Sequence, residues 1–138
     1  GADATVIDEQ GFTALHLASF FGHVDVARLL IALGPVSMRA TPDGASCLHL
    51  ASQNGHLSIV RALAEAGGEA LLFKTKSDGS SCLHSVSLTG HLSVVKHLIK
   101  AGGEVLLHKT DAHGASCLHY ASQNGHLAVV EHMTKAGG

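Results

Sequence analysis

One unit recurs four times along the chain, and this internal repeat is the feature that most constrains the fold. Histidines that follow a leucine are separated by 33, 35 and 35 residues: His16, His49, His84 and His119. Gly-His pairs have the same three spacings and begin at Gly22, Gly55, Gly90 and Gly125. Residues 44–68 match residues 114–138 at 17 of 25 positions. A period of this length indicates stacked units, each of which buries its apolar face only against its neighbours.

The repeat explains the unusual composition of the 138-residue chain, which contains 16 glycines and 12 histidines. The chain is 46% hydrophobic, which is enough to build a core, and its net charge of −2 includes no long run of either sign. This balance gives no basic surface for nucleic acid. The apolar run Leu29–Leu33 is far shorter than the roughly 20 residues that cross a bilayer. We therefore expect neither nucleic-acid binding nor membrane insertion.

Each unit is predicted to form two short helices followed by a connector. In the second unit Ser46 precedes the apolar run 47–54 and is a favourable N-cap, and Gly55 marks the end of this first helix. A second helix is predicted over Leu57–Glu65 because its apolar residues recur at helical spacing, and it ends at Gly67-Gly68. Helices this short are marginal in isolation, so the units must stack to be stable.

The units resemble ankyrin repeats, whose pattern is Thr-Pro-Leu-His-x-Ala, then Gly-His, then a Val/Leu-rich helix that ends in glycine. The first motif occurs in every unit, at Thr13–Ala18, Ser46–Ala51, Ser81–Val86 and Ser116–Ala121. The resemblance implies an all-α solenoid of stacked helix-turn-helix units with short, hairpin-like connecting fingers. It also implies a single domain over residues 1–138, with repeats at about 8–40, 41–75, 76–110 and 111–138.

The units depart from the ankyrin pattern at two places. Ala14 and three cysteines replace the family proline, and two connectors are two residues longer than the first. We expect the apolar segments of these longer connectors to pack beneath the repeats: Leu71–Phe73 and Val105–Leu107.

The resemblance also implies structural roles for histidines and glycines. In the family, the histidine of the first motif hydrogen-bonds the nearby hydroxyl and backbone and helps to tie repeats together, a role that we transfer to His16, His49, His84 and His119. The glycines that end the first helices are assigned as structural: Gly22, Gly55, Gly90 and Gly125. We expect the histidines of the Gly-His pairs to satisfy the turn between the two helices. If the framework histidines are neutral and hydrogen-bonded, their pKa values lie below the usual ~6.5.

Twelve histidines and three cysteines suggest a zinc site, for example in Cys47-x-His49-x6-His56. Zinc needs four ligands that converge on one point, whereas equivalent residues of a stack are displaced from one unit to the next. We therefore expect no metal ion and no cofactor, and a His/Cys metal-binding array is the less favoured alternative function.

The three cysteines occupy one position in successive units, 35 residues apart: Cys47, Cys82 and Cys117. Adjacent helices pack about 8–10 Å apart, which exceeds the Cα separation of about 4.4–6.8 Å in a disulfide. We expect free, semi-buried thiols in an intracellular, reducing compartment, either the cytoplasm or the nucleus. The alternative is a reactive thiol whose pKa is lowered at a helix N-terminus.

The sequence provides little support for catalysis. Ser46 and His49 resemble a nucleophile and its base, but the hydroxyl is needed as a helix cap and no third group accompanies the pair. We therefore expect a non-catalytic module that binds a partner protein through its concave face and finger tips. The alternative is a scaffold or targeting segment of a larger enzyme, with catalysis outside this chain.

In the family, partner contacts often come from the finger tips and the exposed end of the first helix. At these positions the first unit carries three of the chain's five aromatic residues, Phe12, Phe20 and Phe21, where the second and fourth units have small or polar residues. Exposed aromatics commonly anchor interfaces, although these three could instead pack against a preceding repeat or each other. The remaining residues predicted to bind the partner are Glu9, Gln10, Asp43, Gln53, Asp78, Leu88, His113 and Gln123.

The fourth unit matches the framework as well as the second does, and it lacks the polar substitutions of a capping repeat. We therefore hypothesise that the chain is a segment of a longer array. The same observation predicts end-to-end self-association of the 138-residue chain.

Overall fold

The computed structural model describes residues 3–33 and 39–137. Residues 34–38 of the first predicted repeat, and the outermost residues of the predicted 1–138 domain, lie outside this description. The described residues form eight helices, two in each predicted unit: α1 (Ala14–Phe21), α2 (Val24–Ala32), α3 (Cys47–Gln53), α4 (Leu57–Leu72), α5 (Cys82–Thr89), α6 (Leu92–Leu107), α7 (Cys117–Gln123) and α8 (Leu127–Gly137).

The helices stack in two layers. The first helices of the units pack in the order α1, α3, α5, α7, and the second helices pack in the order α2, α4, α6, α8. Fully buried leucines from both layers meet between them, among them Leu48 and Leu83 of the first layer and Leu63 and Leu98 of the second. The predicted all-α, solenoid-like fold class is confirmed.

Both long second-layer helices contain a break at a glycine pair, where the sequence predicts the helix end. Gly68 has φ 61° and ψ −158°, outside the helical region, and the chain then forms one more helical turn. A Cβ on Gly67 would lie 2.5 Å from Leu71 Cδ2, so the first glycine provides space and the second provides the left-handed φ. The same geometry recurs in α6, at Gly102 and Gly103.

The additional turn buries most of the apolar residues in the longer connectors. The prediction that these segments pack beneath the repeats is confirmed for four leucines: Leu71, Leu72, Leu106 and Leu107. It is wrong for Val105, which is 67% exposed. The reason is that a helical turn presents only one of its faces to the core, and Val105 lies on the other face.

Candidate functional site: the inner face and the repeat interface

Every first-layer helix begins with a capping box built from a hydroxyl residue and the motif histidine. In the second unit Ser46 Oγ accepts a hydrogen bond from the His49 backbone N–H at 3.3 Å. In return, His49 Nδ1 accepts from the Ser46 backbone N–H at 3.2 Å. The same reciprocal pair opens the other three helices, at Thr13–His16, Ser81–His84 and Ser116–His119. The box satisfies backbone donors that a helix N-terminus otherwise leaves unpaired.

The other ring nitrogen of these histidines reaches the following unit. Because Nδ1 accepts a backbone N–H, the neutral ring carries its proton on Nε2, and Nε2 can donate. His49 Nε2 donates to the carbonyl oxygen of Ser80 at 3.2 Å. His16 and His84 make the equivalent bonds to Arg39 and Ala115, each at 3.0 Å. Each of these three rings therefore joins a helix start in one unit to the finger of the next.

Burial keeps these rings neutral. Loss of solvent lowers the pKa of His49 from 6.5 to about 4, since the charged form is poorly solvated at this site. Loss of solvent is also the main reason that the pKa values of His16 and His84 are lowered. The neutral ring is the form in which Nδ1 can accept a hydrogen bond while Nε2 donates one.

The histidines of the Gly-His pairs reach in the opposite direction, towards the preceding unit. His56 Nε2 lies 2.9 Å from the carbonyl oxygen of Phe20, which also accepts from Asn54 Nδ2 at 2.7 Å. The same arrangement joins the fourth unit to the third through His126, Asn124 and Leu88. His56 and His126 therefore help to satisfy the turn between two helices, as predicted, but the turn belongs to the preceding unit.

In the first three units, glycine at the end of the first-layer helix leaves room for the ring of the next unit. A Cβ on Gly22 would lie 2.5 Å from His56 Cε1, and a Cβ on Gly55 would lie 2.6 Å from His91 Cγ. Both glycines also have positive φ values, 79° and 75°. Gly125, the equivalent residue of the fourth unit, has φ 72° but no described atom within 4 Å of an added Cβ.

The fingers are also joined to one another through the backbone. The Ser77 N–H donates to the Asp43 carbonyl at 3.0 Å, and the Ala112 N–H donates to the Asp78 carbonyl at 2.9 Å. Lys76 and Asp43 form an ion pair at 3.4 Å beside the first of these bonds. Three sets of contacts, two through histidine rings and one through the finger backbone, therefore hold the units in register.

The fourth finger has a further tether that the sequence analysis missed. Tyr120 of α7 donates from its hydroxyl to Asp111 Oδ2 at 2.6 Å, and its ring lies edge-on to the His84 ring at 4.8 Å. This hydrogen bond is the largest cause that lowers the Asp111 pKa to about 2. The signal in the sequence is a tyrosine at a position that holds leucine or serine in the other units.

The first-layer helices and the finger tips together form a surface that we call the inner face. On this face Phe20 and Phe21 pack edge to face with ring centres 4.9 Å apart, and Phe21 remains 62% exposed. Leu17, which the sequence analysis did not select, is 36% exposed on the same helix. The nearest ring to Phe12 is that of His16, at 6.1 Å, so Phe12 is not part of the Phe20–Phe21 pair.

The other residues predicted to bind a partner are placed at two levels of the inner face. Five lie exposed in the fingers: Glu9, Gln10, Asp43, Asp78 and His113. Three lie near the ends of first-layer helices, where Gln53 is half-buried and Leu88 and Gln123 are exposed. These residues lie in four successive units, whereas the aromatic pair is confined to the first.

The cysteines have the environment of unreactive thiols. Cys47, Cys82 and Cys117 are free and buried. Loss of solvent raises the pKa of Cys47 to about 11 and those of Cys82 and Cys117 to about 12. A thiol is nucleophilic only as the thiolate, so these residues serve as packing groups.

Two further properties follow from the described residues. They contain no group of three or more His, Cys, Asp or Glu side chains placed to hold a metal ion. Within residues 3–33 and 39–137, every helix is too short or too polar to cross a membrane.

Comparison with known families finds similarity over nearly the whole chain. A family model described as ankyrin repeats, in three copies, matches residues 1–74 and again residues 68–137. No curated protein matches the chain.

We expect the midpoint temperature of thermal unfolding to fall between pH 7 and pH 5. His16, His49 and His84 have lowered pKa values in the folded state, so their stabilisation is complete above ~6.5 and is lost as the pH falls towards the folded values. For His49 alone, the change from 6.5 to about 4 corresponds to a loss of about 3 kcal/mol below pH 4. Scanning calorimetry across this range checks the expectation, and an unchanged midpoint contradicts it.

A matched pair of glycine variants measures the contribution of the inter-unit ring contact. Both Gly55→Ala and Gly125→Ala impose a positive φ on alanine, which costs about 1 kcal/mol. Only Gly55→Ala also meets a ring, that of His91, and we expect this clash to cost about 1–3 kcal/mol more. Urea unfolding of both variants gives the comparison. Equal losses of unfolding free energy would show that the ring does not restrict this position.

Proposed function

The chain belongs to the ankyrin-repeat family, and from this premise we propose that it binds a partner protein through the inner face. Ankyrin repeats are generally protein–protein interaction modules. The observation that carries the proposal for this face is the aromatic pair in the first unit, in which Phe20 is half-buried and Phe21 is exposed. Phe21 leaves most of its ring in solvent although the framework does not require an aromatic there.

The equivalent positions in the other units support this reading. Phe20 and Phe21 correspond to Gln53-Asn54 in the second unit and to Gln123-Asn124 in the fourth. These two units form the same first-layer helix with polar residues, and Asn54 and Asn124 bond to the preceding unit, so neither the helix nor the interface requires phenylalanine. An exposed aromatic that the fold does not need is a common anchor of a binding surface.

The charges of the inner face complement the aromatic pair. The four first-layer helices contain no Asp, Glu, Lys or Arg. Carboxylates instead occur in the fingers, at the edge of the inner face that we call its rim. Hydrogen bonds from Thr41 and Ser80 are the largest causes that lower the pKa values of Asp43 and Asp78, respectively. We infer a partner segment with an apolar side chain for the phenylalanine pair and polar or cationic groups for the rim.

The variant Phe21→Gln tests the proposed surface. Because Phe21 is exposed, we expect a change in unfolding free energy below about 1 kcal/mol. We expect binding of the partner to weaken by about tenfold, as for a central aromatic of an interface. The measurement is quantitative affinity capture with wild-type and variant chains as baits, followed by titration of the captured protein.

Val105→Gln is the matched control, because Val105 is similarly exposed but lies in the last turn of α6, in the second layer. A protein that is lost with Phe21→Gln and retained with Val105→Gln fits the proposal. Normal capture by a folded Phe21→Gln chain would place the interface elsewhere. Unfolding of this variant would show that the ring belongs to the core.

The end faces of the described stack expose apolar residues at positions that are buried in the internal units. Val26 is 50% exposed, whereas Ile59 and Val94 at the equivalent positions are fully buried. Leu118 is 38% exposed, whereas Leu48 at the equivalent position is fully buried. The first and fourth units thus present the two halves of the interface that joins neighbouring units.

We propose that the 138-residue chain associates head to tail, with the first unit of one copy stacked on the fourth unit of another. The receiving surface includes an apolar groove of about 310 Å³ lined by residues such as Leu107, Leu118 and Met133. The incoming His23 would take the place above Gly125 that His126 takes above Gly90. A contact between two different faces of this kind produces open chains of copies.

Two variants that block opposite faces distinguish this association from non-specific aggregation. Val26→Arg blocks the first face and Leu118→Arg blocks the second, so we expect each variant alone to be monomeric. A mixture of the two retains one intact pair of faces and should form 1:1 dimers and nothing larger. Sedimentation velocity measures all three samples. Dimers of either variant alone, or a mixture without dimers, would contradict head-to-tail stacking.

We also propose that the chain functions in a reducing compartment, the cytoplasm or the nucleus. The basis is the set of three buried cysteines that remain unpaired. Labelling of thiols after denaturation of the natively expressed protein would give three free groups if this is correct.

A further inference from the structure

The outer surface of the second-layer helices contains two open cavities, one on each side of α4, that the proposed function does not use. One open cavity of about 620 Å³ lies between α2 and α4 and includes Arg28, Arg61 and Glu65 in its lining. A second, also of about 620 Å³, lies between α4 and α6 and includes Arg61, Glu65, His97 and Lys100. Both cavities are lined by Arg61 and Glu65 of α4, and we refer to the two together as the outer groove, defined by these five residues.

Among the side chains that line the outer groove, positive charges outnumber negative ones, while Asp25 and Glu104 lie about one helical turn from Arg28 and Lys100 outside the lining. The groove walls hold three permanent cations and a single carboxylate, that of Glu65. Among the described residues, the ion pair within 4 Å is that of Lys76 with Asp43, which lies in the fingers. Arg28, Arg61 and Lys100 are therefore available to an external anion.

The electrostatics of His97 show that these cations act on the same space. Loss of solvent is the main cause that lowers the His97 pKa, and the charges of Arg61 and Lys100 lower it further. Arg61 of α4 and Lys100 of α6 therefore both lie close enough to His97 for their charges to affect its ring. The carboxylates of the fingers lie in a different part of each unit, at Asp8, Glu9, Asp43, Asp78 and Asp111.

The floor of the outer groove is made of small side chains. Ala62 and Ala66 lie in the first cavity, and Ala64 and Ala101 lie in the second. Side chains of this size allow the backbone of a bound segment to approach the helices. The cations at the walls are then placed to meet carboxylates that project from that segment.

We propose that the outer groove binds an acidic polypeptide segment of a partner protein, independently of the inner face. Carboxylates of the segment pair with Arg28, Arg61 and Lys100 in turn. Arginine suits the first two positions because its planar guanidinium can hold a carboxylate through two parallel hydrogen bonds. Glu65 opposes binding, because it lies between the arginines and the lysine and has the same charge as the ligand.

The probe is a fluorescein-labelled peptide of eight glutamates, titrated with the full chain and followed by fluorescence anisotropy at two salt concentrations. We expect saturable 1:1 binding that weakens with salt. Arg61→Gln should weaken binding by about threefold, the effect of one exposed ion pair. Glu65→Gln should strengthen it by a similar factor, which a general loss of folding cannot do.

Lys135→Gln is the matched control, because Lys135 occupies in α8 the position that Lys100 occupies in α6 but does not line the groove. Binding that falls equally with Lys135→Gln and Arg61→Gln would overturn the proposal in favour of general charge attraction. Absence of saturation, or tighter binding of an RNA oligonucleotide or of anionic vesicles, would also overturn it. Phe21→Gln should leave the peptide affinity unchanged, so this test is separate from that of the inner face.

Discussion

The stack depends on an imidazole ring that is shared between two units. Nδ1 of His49 completes the cap of its own helix, and Nε2 of the same ring holds the carbonyl of Ser80 in the next unit. The start of a helix and its contact with a neighbour therefore use the same side chain. This coupling explains how helices of seven or eight residues, too short to persist alone, are stable in the folded chain.

With the framework positions occupied by histidine, glycine and serine, functional variation is left to the surfaces of the two layers. The first layer presents uncharged helices with an aromatic pair at one end and carboxylates at the finger rim. The second layer presents cations over a floor of alanines. Under the two proposals above, surfaces of different chemistry on opposite layers would hold two partner segments on one module.

Local and repeated patterns in the sequence predict much of this fold. The repeat period, the hydroxyl caps and the glycine ends of the first helices follow from residues that act within their own unit. The direction in which His56 points cannot be predicted in this way, because its acceptor, the carbonyl oxygen of Phe20, lies 36 residues away. The helical turn after Gly68 is stabilised by burial of Leu71 rather than by a helix-forming pattern in its own sequence. For the candidate site, the phenylalanine pair of the first unit is apparent from the sequence, whereas the outer groove arises only when helices of different units are placed side by side.

The capping-box histidines bond to the following unit, and the histidines of the Gly-His pairs bond to the preceding unit. We call these two sets the histidine ladders, and together they limit which changes in chain length the fold can accept. In all four units the forward-reaching and backward-reaching histidines are seven residues apart, while the interval from one unit to the next is 26 or 28 residues. Natural changes in length are therefore absorbed in the connectors. Duplication or deletion of a whole unit keeps both ladders in register, whereas a change of one residue between the paired histidines would break both. We therefore expect such arrays to lengthen or shorten by gain or loss of gene segments that each encode a complete unit.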